Sequence, residues 1–211
     1  MIQAIIFDWD GVIVDSMPSI AQGIQEMAAS YGVSLTIDQI LDGYFQPRRA
    51  YYESVGVVVD DEEELNRRHR LAVHKYKKDP PAFPEVVAVL RFLKNTGCVL
   101  AVASTAESIG VLQQLERYGL IDIFPEQLIK ASEVPKAEKL AQLVSILGLP
   151  KESILYVGDL PSDIIAARKA GILAAGIERR EVARKRLEAE KPDFLFSSLL
   201  DLQTLIEGQK R

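Results

Sequence analysis

The chain has 211 residues, 48% of them hydrophobic, and its 25 basic and 30 acidic side chains give a net charge of −5. That balance provides no general attraction for nucleic acid or for an anionic membrane, so we expect neither as a partner. The length is sufficient for one domain with a proper core and an insert.

The cysteine content indicates the compartment. Cys98 is the single cysteine and lies in an apolar stretch, where a buried free thiol is the usual state and no intramolecular disulfide can form. No basic segment follows Met1, and nowhere do 18 apolar residues occur together, so the sequence predicts neither a signal peptide nor a membrane span. We therefore expect a cytoplasmic protein.

The first apolar run, residues 2–7, predicts a strand of a parallel sheet that is covered on both faces. It ends at Asp8, and Asp10 follows two residues later, so that both carboxylates are expected to point the same way. Such carboxylates repel each other unless a cation or a shared proton relieves them, and Mg²⁺ prefers oxygen ligands of this kind. Gly11 permits a turn and the close approach of a ligand to the main chain. The alternative is that these acids only cap the following helix.

Residues 16–80 show amphipathic helical patterns and one weak strand candidate at residues 57–59. Three prolines in residues 79–85 are suited to a stiff linker between modules. The pattern predicts a helical domain over residues 16–80, inserted into a domain formed by residues 1–15 and 81–211. Three tyrosines of this insert, Tyr44, Tyr51 and Tyr52, are candidates either for contact with a partner or for lining a site.

Two arginines of the insert, Arg48 and Arg49, follow a proline turn and are flanked by aromatic residues. One of them is a candidate for gripping a second anionic group of a substrate, in the bidentate way that arginine favours. The alternative is that both are solvated charges on the surface of a helix.

From residue 97 onward, short apolar runs alternate with helical patterns, as in a parallel α/β sheet. The predicted strands are residues 99–103, 128–130, 154–157, 173–175 and 194–196. The predicted helices are residues 85–95, 109–118, 137–147, 162–170, 180–190 and 199–207.

Polar side chains follow several of these strands, at the edge where open α/β sheets bind ligands. Ser104 and Thr105 follow the strand 99–103, and a hydroxyl with the first amides of a helix is suited to hold a phosphoryl oxygen. The alternative is an ordinary helix N-cap.

Acids and a lysine follow two further strands. Asp159 comes directly after residues 154–157, Pro161 opens the next helix, and Asp163 lies one turn later. Together with Asp8 these acids are expected to form a nest for one metal ion. Lys136 follows the strand 128–130, where a lysine would neutralise a nucleophile and a bound phosphate, although a surface lysine is the default.

Four segments, taken in chain order, resemble the motifs of the haloacid dehalogenase superfamily of phosphotransferases, over essentially the whole chain. The matching segments are Asp8-Trp9-Asp10-Gly11-Val12, then Ser104, then Lys136, and finally Gly158-Asp159 with Asp163. The insert is similar to the small helical cap of the branch that includes phosphoglycolate phosphatases, pyrophosphatases and β-phosphoglucomutases. This resemblance implies an α/β fold with a Rossmann-like parallel-sheet core and a small inserted α-helical cap domain.

The resemblance also implies a reaction. Asp8 would attack the phosphorus of a small phosphorylated metabolite to form an aspartyl-phosphate. Asp10 would protonate the leaving oxygen and later deprotonate the attacking water. Ser104 and Lys136 would hold the oxygens of the transferring group, and substrate choice would lie with the cap.

The metal site is implied in the same way. Mg²⁺ would be bound by the side chains of Asp8 and Asp159 and by the main-chain carbonyl of Asp10, with Asp163 binding it directly or through water. One departure concerns Lys136, because relatives commonly have proline after this lysine, whereas here Ala137 follows it and the proline precedes it.

The expected function is a Mg²⁺-dependent phosphatase. A β-phosphoglucomutase-like phosphomutase would use the same residues but exclude water, and a non-catalytic metabolite-binding protein would keep the fold without turnover. The sequence leaves the oligomeric state open between a monomer and a homodimer, and it does not name the metabolite.

Overall fold

The structure is a computed structural model that describes residues 1–45, 47–76, 79–106, 108–132, 134–179 and 181–209. The chain divides into two compact units. The core unit comprises residues Met1–Val14 and Ala82–Arg211, and the insert unit comprises Asp15–Pro81.

The core unit contains one parallel sheet, and in the described part of the chain this sheet has six strands in the order β3-β2-β1-β4-β5-β6. The strands are β1 (Ala4–Phe7), β2 (Val99–Ser104), β3 (Ile129–Ala131), β4 (Ile154–Gly158), β5 (Leu173–Ile177) and β6 (Phe194–Phe196). The predicted α/β class with a parallel-sheet core is confirmed.

Both faces of the sheet are covered, which explains why its strands are apolar on both sides. Along β1, Ile5 and Phe7 point into one apolar cluster, whereas Ala4 and Ile6 point into the other. The helices of this unit are α5 (Val86–Asn95), α6 (Ser108–Arg117), α7 (Lys136–Leu147), α8 (Pro161–Ala170), α9 (Glu181–Ala189) and α10 (Leu199–Gly208).

The order of the strands determines where a ligand would bind. The chain proceeds from β1 to β2 and β3 on one side, and then returns to place β4 on the other side of β1. Phe7, the last residue of β1, is paired with Val102 and with Val157. The carboxyl ends of β1, β2 and β4 therefore lie side by side at a topological switch point, the usual ligand site of open α/β sheets.

The insert unit is helical, with helices α1 (Met17–Ser30), α2 (Ile37–Gly43), α3 (Arg48–Ser54) and α4 (Glu62–Tyr76). Tyr44, Tyr51 and Tyr52 are buried in its apolar core. The expectation that these tyrosines are available for a partner or a site is therefore wrong, because their rings pack against one another inside the unit.

Other differences from the predicted elements are local. No strand forms at residues 57–59, because the N–H of Val57 bonds to the carbonyl of Tyr52 at the end of α3, and Val57 is buried in the insert's core. β3 begins one residue late because Leu128 belongs to a 3-10 turn. Arg180, the predicted start of α9, lies outside the described residues. Within those residues, no helix has the length and apolarity that a membrane span requires.

Candidate active site

Asp8 lies at the end of the central strand. Its N–H bonds to the carbonyl of Val157 at 2.9 Å, which extends the pairing of β1 with β4 by one residue. Asp8 is 4% exposed, and its Oδ1 accepts a hydrogen bond from the N–H of Trp9 at 2.8 Å. The strand itself stops at Phe7, so the regular alternation of side chains does not extend from Asp8 to Asp10.

A tight turn follows Asp8 and requires glycine. The N–H of Gly11 bonds to the carbonyl of Val14 at 2.9 Å, and Gly11 has a φ of +76°. A Cβ atom at this position would lie 2.1 Å from Oδ2 of Asp159. Gly11 therefore allows the turn after β1 to approach the acid that follows β4.

Asp159 and Asp163 come from the end of β4 and the first turn of α8. Oδ2 of Asp163 accepts the N–H of Leu160 at 3.0 Å, which orients this carboxylate at the start of the helix. A Cβ atom on Gly158 would lie 2.3 Å from Cβ of Asp163. The glycine that ends β4 therefore makes room for a buried acid beside the sheet.

Three carboxylates form a cluster at this edge. Oxygen atoms of Asp8, Asp159 and Asp163 lie within 4.8 Å of one another. The carboxylate of Asp10 is not part of that group, although its charge contributes to raising the pKa of Asp8 and of Asp159. Burial raises the pKa of Asp8 to about 6, and the neighbouring Asp163 adds to this effect. Burial likewise raises the pKa of Asp159 well above its usual value, as do Asp163 and Asp8. The cluster is thus a site where a cation would be stabilised.

Lys136 is in direct contact with the cluster. Its Nζ lies 2.5 Å from Oδ2 of Asp8 and also donates to Oδ1 of Asp163. Burial disfavours the charge of this lysine, but Asp163 and Asp8 raise its pKa well above the usual value. The ammonium in turn lowers the pKa of Asp8, which favours the ionised carboxylate. The structure therefore brings the lysine from the start of α7 onto the acid that follows β1.

Ser104 is the last residue of β2 and is buried. Its Oγ accepts the N–H of Ala106 at 3.1 Å, and a hydroxyl that accepts can also donate. The following residue, Thr105, is exposed. Because β2 is the neighbour of β1, Ser104 lies at the same edge of the sheet as Asp8.

Arg48 and Arg49 belong to the insert unit and have partners there. Nη1 of Arg48 donates to Oδ1 of Asn66 at 2.7 Å. Nε of Arg49 forms an ion pair with Glu53, one turn along α3, at 2.8 Å. Helix contacts within the unit thus orient both guanidinium groups.

Two buried polar side chains near the site were not predicted from the sequence. Lys139 donates to main-chain carbonyls beside Ser104, and the hydroxyl of Tyr156 donates to the carbonyl of Ala103 at 3.3 Å. The spacing along α7 could have indicated that Lys139 is buried, because it lies four residues before the buried Leu143 and therefore on the same apolar face of the helix.

Comparisons with known proteins identify the family and the fold. The model of the family described as haloacid dehalogenase-like hydrolase matches residues 5–177. A phosphoglycolate phosphatase from Synechococcus elongatus is 29% identical over 95% of each chain. A phosphoglycolate phosphatase from Neisseria meningitidis is 26% identical over 99% of this chain and 95% of its own. A solved haloacid dehalogenase-like hydrolase from Streptococcus pneumoniae has a similar fold, with a TM-score of 0.81, 21% identity and coverage of 97% of this chain and 98% of its own.

Proposed function

The chain belongs to the haloacid dehalogenase-like hydrolase family, and we propose that it is a Mg²⁺-dependent phosphatase that hydrolyses a small phosphorylated metabolite through an aspartyl-phosphate. The observation that carries this proposal is the contact of Lys136 with Asp8 at the switch point of the sheet, inside an acidic cluster. Relatives that are named phosphoglycolate phosphatases support the same class of reaction.

Asp8 is the proposed nucleophile. An oxygen of its carboxylate attacks phosphorus, the bond from phosphorus to the ester oxygen breaks, and Asp10 gives that oxygen a proton. Asp10 then takes a proton from water, which attacks the phosphorus, releases inorganic phosphate and restores the carboxylate of Asp8. Division of one displacement into two steps lowers the barrier of each. Lys136 assists because it lowers the pKa of Asp8.

The donor set fits a hard divalent cation. The clustered carboxylates of Asp8, Asp159 and Asp163 provide oxygen ligands only, which is the preference of Mg²⁺ and not of softer metals. These side chains would hold the ion together with the main-chain carbonyl of Asp10, with Asp163 binding directly or through water. When bound, the ion would offset the negative charge of the phosphoryl oxygens.

The remaining residues hold the phosphoryl group. We assign Ser104 and Lys136 to its oxygens, with the main chain at Gly11 and Thr105 as further donors. Phosphoryl transfer depends mainly on position and charge, so these contacts are expected to contribute strongly to the rate. Arg48 and Arg49 are the candidates in the insert for a second anionic group of the substrate.

Phosphate release tests the proposal. Phosphoglycolate, pyrophosphate, hexose phosphates and nucleotides are each incubated with the protein in Mg²⁺ or in EDTA. The matched variants are Asp8→Asn and Asp122→Asn, since Asp122 is an exposed acid of the same unit. We expect release that needs Mg²⁺, is lost in Asp8→Asn and persists in Asp122→Asn. Release that survives Asp8→Asn would contradict the mechanism, and isomerisation of a hexose phosphate without release would indicate a mutase.

A further inference from the structure

Lys139 is a buried lysine to which the proposed reaction assigns no role. The residue is 1% exposed, and its side chain is among the largest that are fully buried in the described part of the chain. Burial lowers the pKa of its ammonium to about 8, as does the charge of Lys136 one turn earlier on α7. Burying a charged group is costly unless hydrogen bonds compensate for it, so the partners of this ammonium indicate what it does.

Those partners are main-chain carbonyls at the ends of two neighbouring strands. Nζ of Lys139 donates to the carbonyl of Ser104, at the end of β2, and to the carbonyl of Ser132, just after β3, at 2.7 Å. The carbonyl of Ser104 also accepts the N–H of Ser132 at 3.1 Å. Lys139 therefore joins β2 and β3 just beyond their last paired residues, Ser104 and Ala131.

A second bond restrains the same corner. The hydroxyl of Ser108, at the start of α6, donates to the carbonyl of Ala131. Ser104 and Ser108 are thus each held against the end of β3, Ser104 through Lys139 and Ser108 through its own hydroxyl. Oγ of Ser104 accepts the N–H of Ala106.

We propose that Lys139 is a positioning residue of the phosphate site, which holds the carbonyl of Ser104 so that the Ser104 hydroxyl keeps the orientation needed to bind a phosphoryl group. The role assigned to Ser104 rests on the proposed function, whereas the restraint of the loop does not. Misplacement of a binding group by about 1 Å is enough to reduce a rate by about 100-fold.

A double-mutant cycle separates positioning from simple charge attraction. The dissociation constant of inorganic phosphate is measured by calorimetry in Mg²⁺ for wild type, Lys139→Met, Ser104→Ala and the double variant. Lys169→Met, at an exposed position of α8, is the control for the loss of a lysine. Methionine has a similar volume and no donor, and Lys139→Leu, which also lacks a donor, provides a second variant in case the first does not fold.

We expect Lys139→Met to weaken phosphate binding about tenfold. This is the size of one charge-assisted hydrogen bond, here the bond from the displaced Ser104 hydroxyl to the phosphate. In the Ser104→Ala background the same change should have an effect of less than about twofold, because coupled residues are not additive. Equal weakening in both backgrounds would show that the lysine acts through its charge alone and would overturn the proposal. Unchanged affinity in a folded Lys139→Met or Lys139→Leu variant, with only a lower melting temperature, would also overturn it.

Hydrogen exchange keeps the inference separate from the proposed function. The amides of Ala106 and Ser132 should exchange faster in Lys139→Met than in wild type and unchanged in Lys169→Met. If wild type neither binds phosphate nor releases it from a substrate, the proposed function fails. The exchange rates of these two amides would then be the test of whether Lys139 restrains the Ser104 carbonyl. Unchanged exchange at both amides would overturn this restraint.

Discussion

The insert unit contains a histidine whose burial makes a quantitative pH prediction. His69 on α4 is 5% exposed, and its Nδ1 lies 2.9 Å from the hydroxyl of Tyr52. Burial lowers its pKa to about 3, and the charges of Arg48 and Arg70 act in the same direction. In the unfolded chain the same imidazole has its ordinary pKa of about 6.5.

The sign and size of the effect follow from these two values. Because the folded-state pKa is the lower one, the unfolded chain binds the proton first as the pH falls, and the folded state loses stability below pH 6.5. Between pH 8 and pH 5 this single group should reduce the free energy of unfolding by about 2 kcal/mol. This value follows from the ratio of proton binding by the unfolded chain to proton binding by the folded chain, with the two pKa values given above. The loss would continue until the pH reaches the folded-state pKa of about 3.

The matched comparison uses the only two histidines of the chain. His69→Asn keeps a polar atom near Tyr52 but does not titrate, whereas His74→Asn changes an exposed position of the same helix. Urea unfolding at pH 8 and pH 5 should show a loss for wild type and His74→Asn that is about 2 kcal/mol larger than for His69→Asn. An NMR titration measures the imidazole pKa directly. Protonation of His69 near pH 6.5 in the folded protein, or equal pH dependence in all three proteins, would refute the burial argument.

Three further substitutions test the core unit. Lys136→Met should reduce turnover by about 100-fold or more. Because the carboxylate cluster would lose the ammonium that contacts it, Mg²⁺ should raise the melting temperature of this variant more than that of wild type. An equal rise in both proteins would count against the assigned contact. Gly11→Ala places a Cβ 2.1 Å from Oδ2 of Asp159 and should abolish Mg²⁺-dependent phosphate release; wild-type release would contradict the geometry. Arg179→Met breaks a partly buried ion pair and should lower the free energy of unfolding, measured in urea, by about 2–3 kcal/mol. Arg184→Met breaks an exposed pair within a helix and should lower it by less than about 1 kcal/mol. Equal losses in the two variants would contradict this prediction.

The residues that follow strands were predictable because two simple signals combine. A short apolar run identifies a buried strand, and a parallel sheet brings the carboxyl ends of its strands to one edge. Asp8, Ser104 and Asp159 each come within one residue of such an end, so their proximity follows from the order of the strands. Their roles in catalysis remain predictions, because proximity does not measure turnover.

Residues on helices were harder to place because their position depends on how the helix is rotated and packed. Lys136 reaches Asp8 from the first turn of α7, and no spacing in the sequence measures that reach. Lys139 was passed over because lysine is rarely buried. Tyr51 and Tyr52 are adjacent in sequence, yet both are buried, since the short helix α3 is covered on more than one side. An amphipathic pattern alone does not predict such a core.

The charge of the candidate site gives a physical reason for a divalent cation. Three carboxylates, those of Asp8, Asp159 and Asp163, share one small volume, and Lys136 is in contact with two of them. When all three carboxylates are ionised, the single ammonium leaves a net charge of −2, which equals in size the charge of one Mg²⁺ ion. The raised pKa of Asp8, about 6, and of Asp159 express this imbalance, because protonation is the other way to relieve it. A bound Mg²⁺ would therefore lower both pKa values. Protons should be released when the metal is added to the protein at pH 6, and the number released should be smaller in Asp159→Asn.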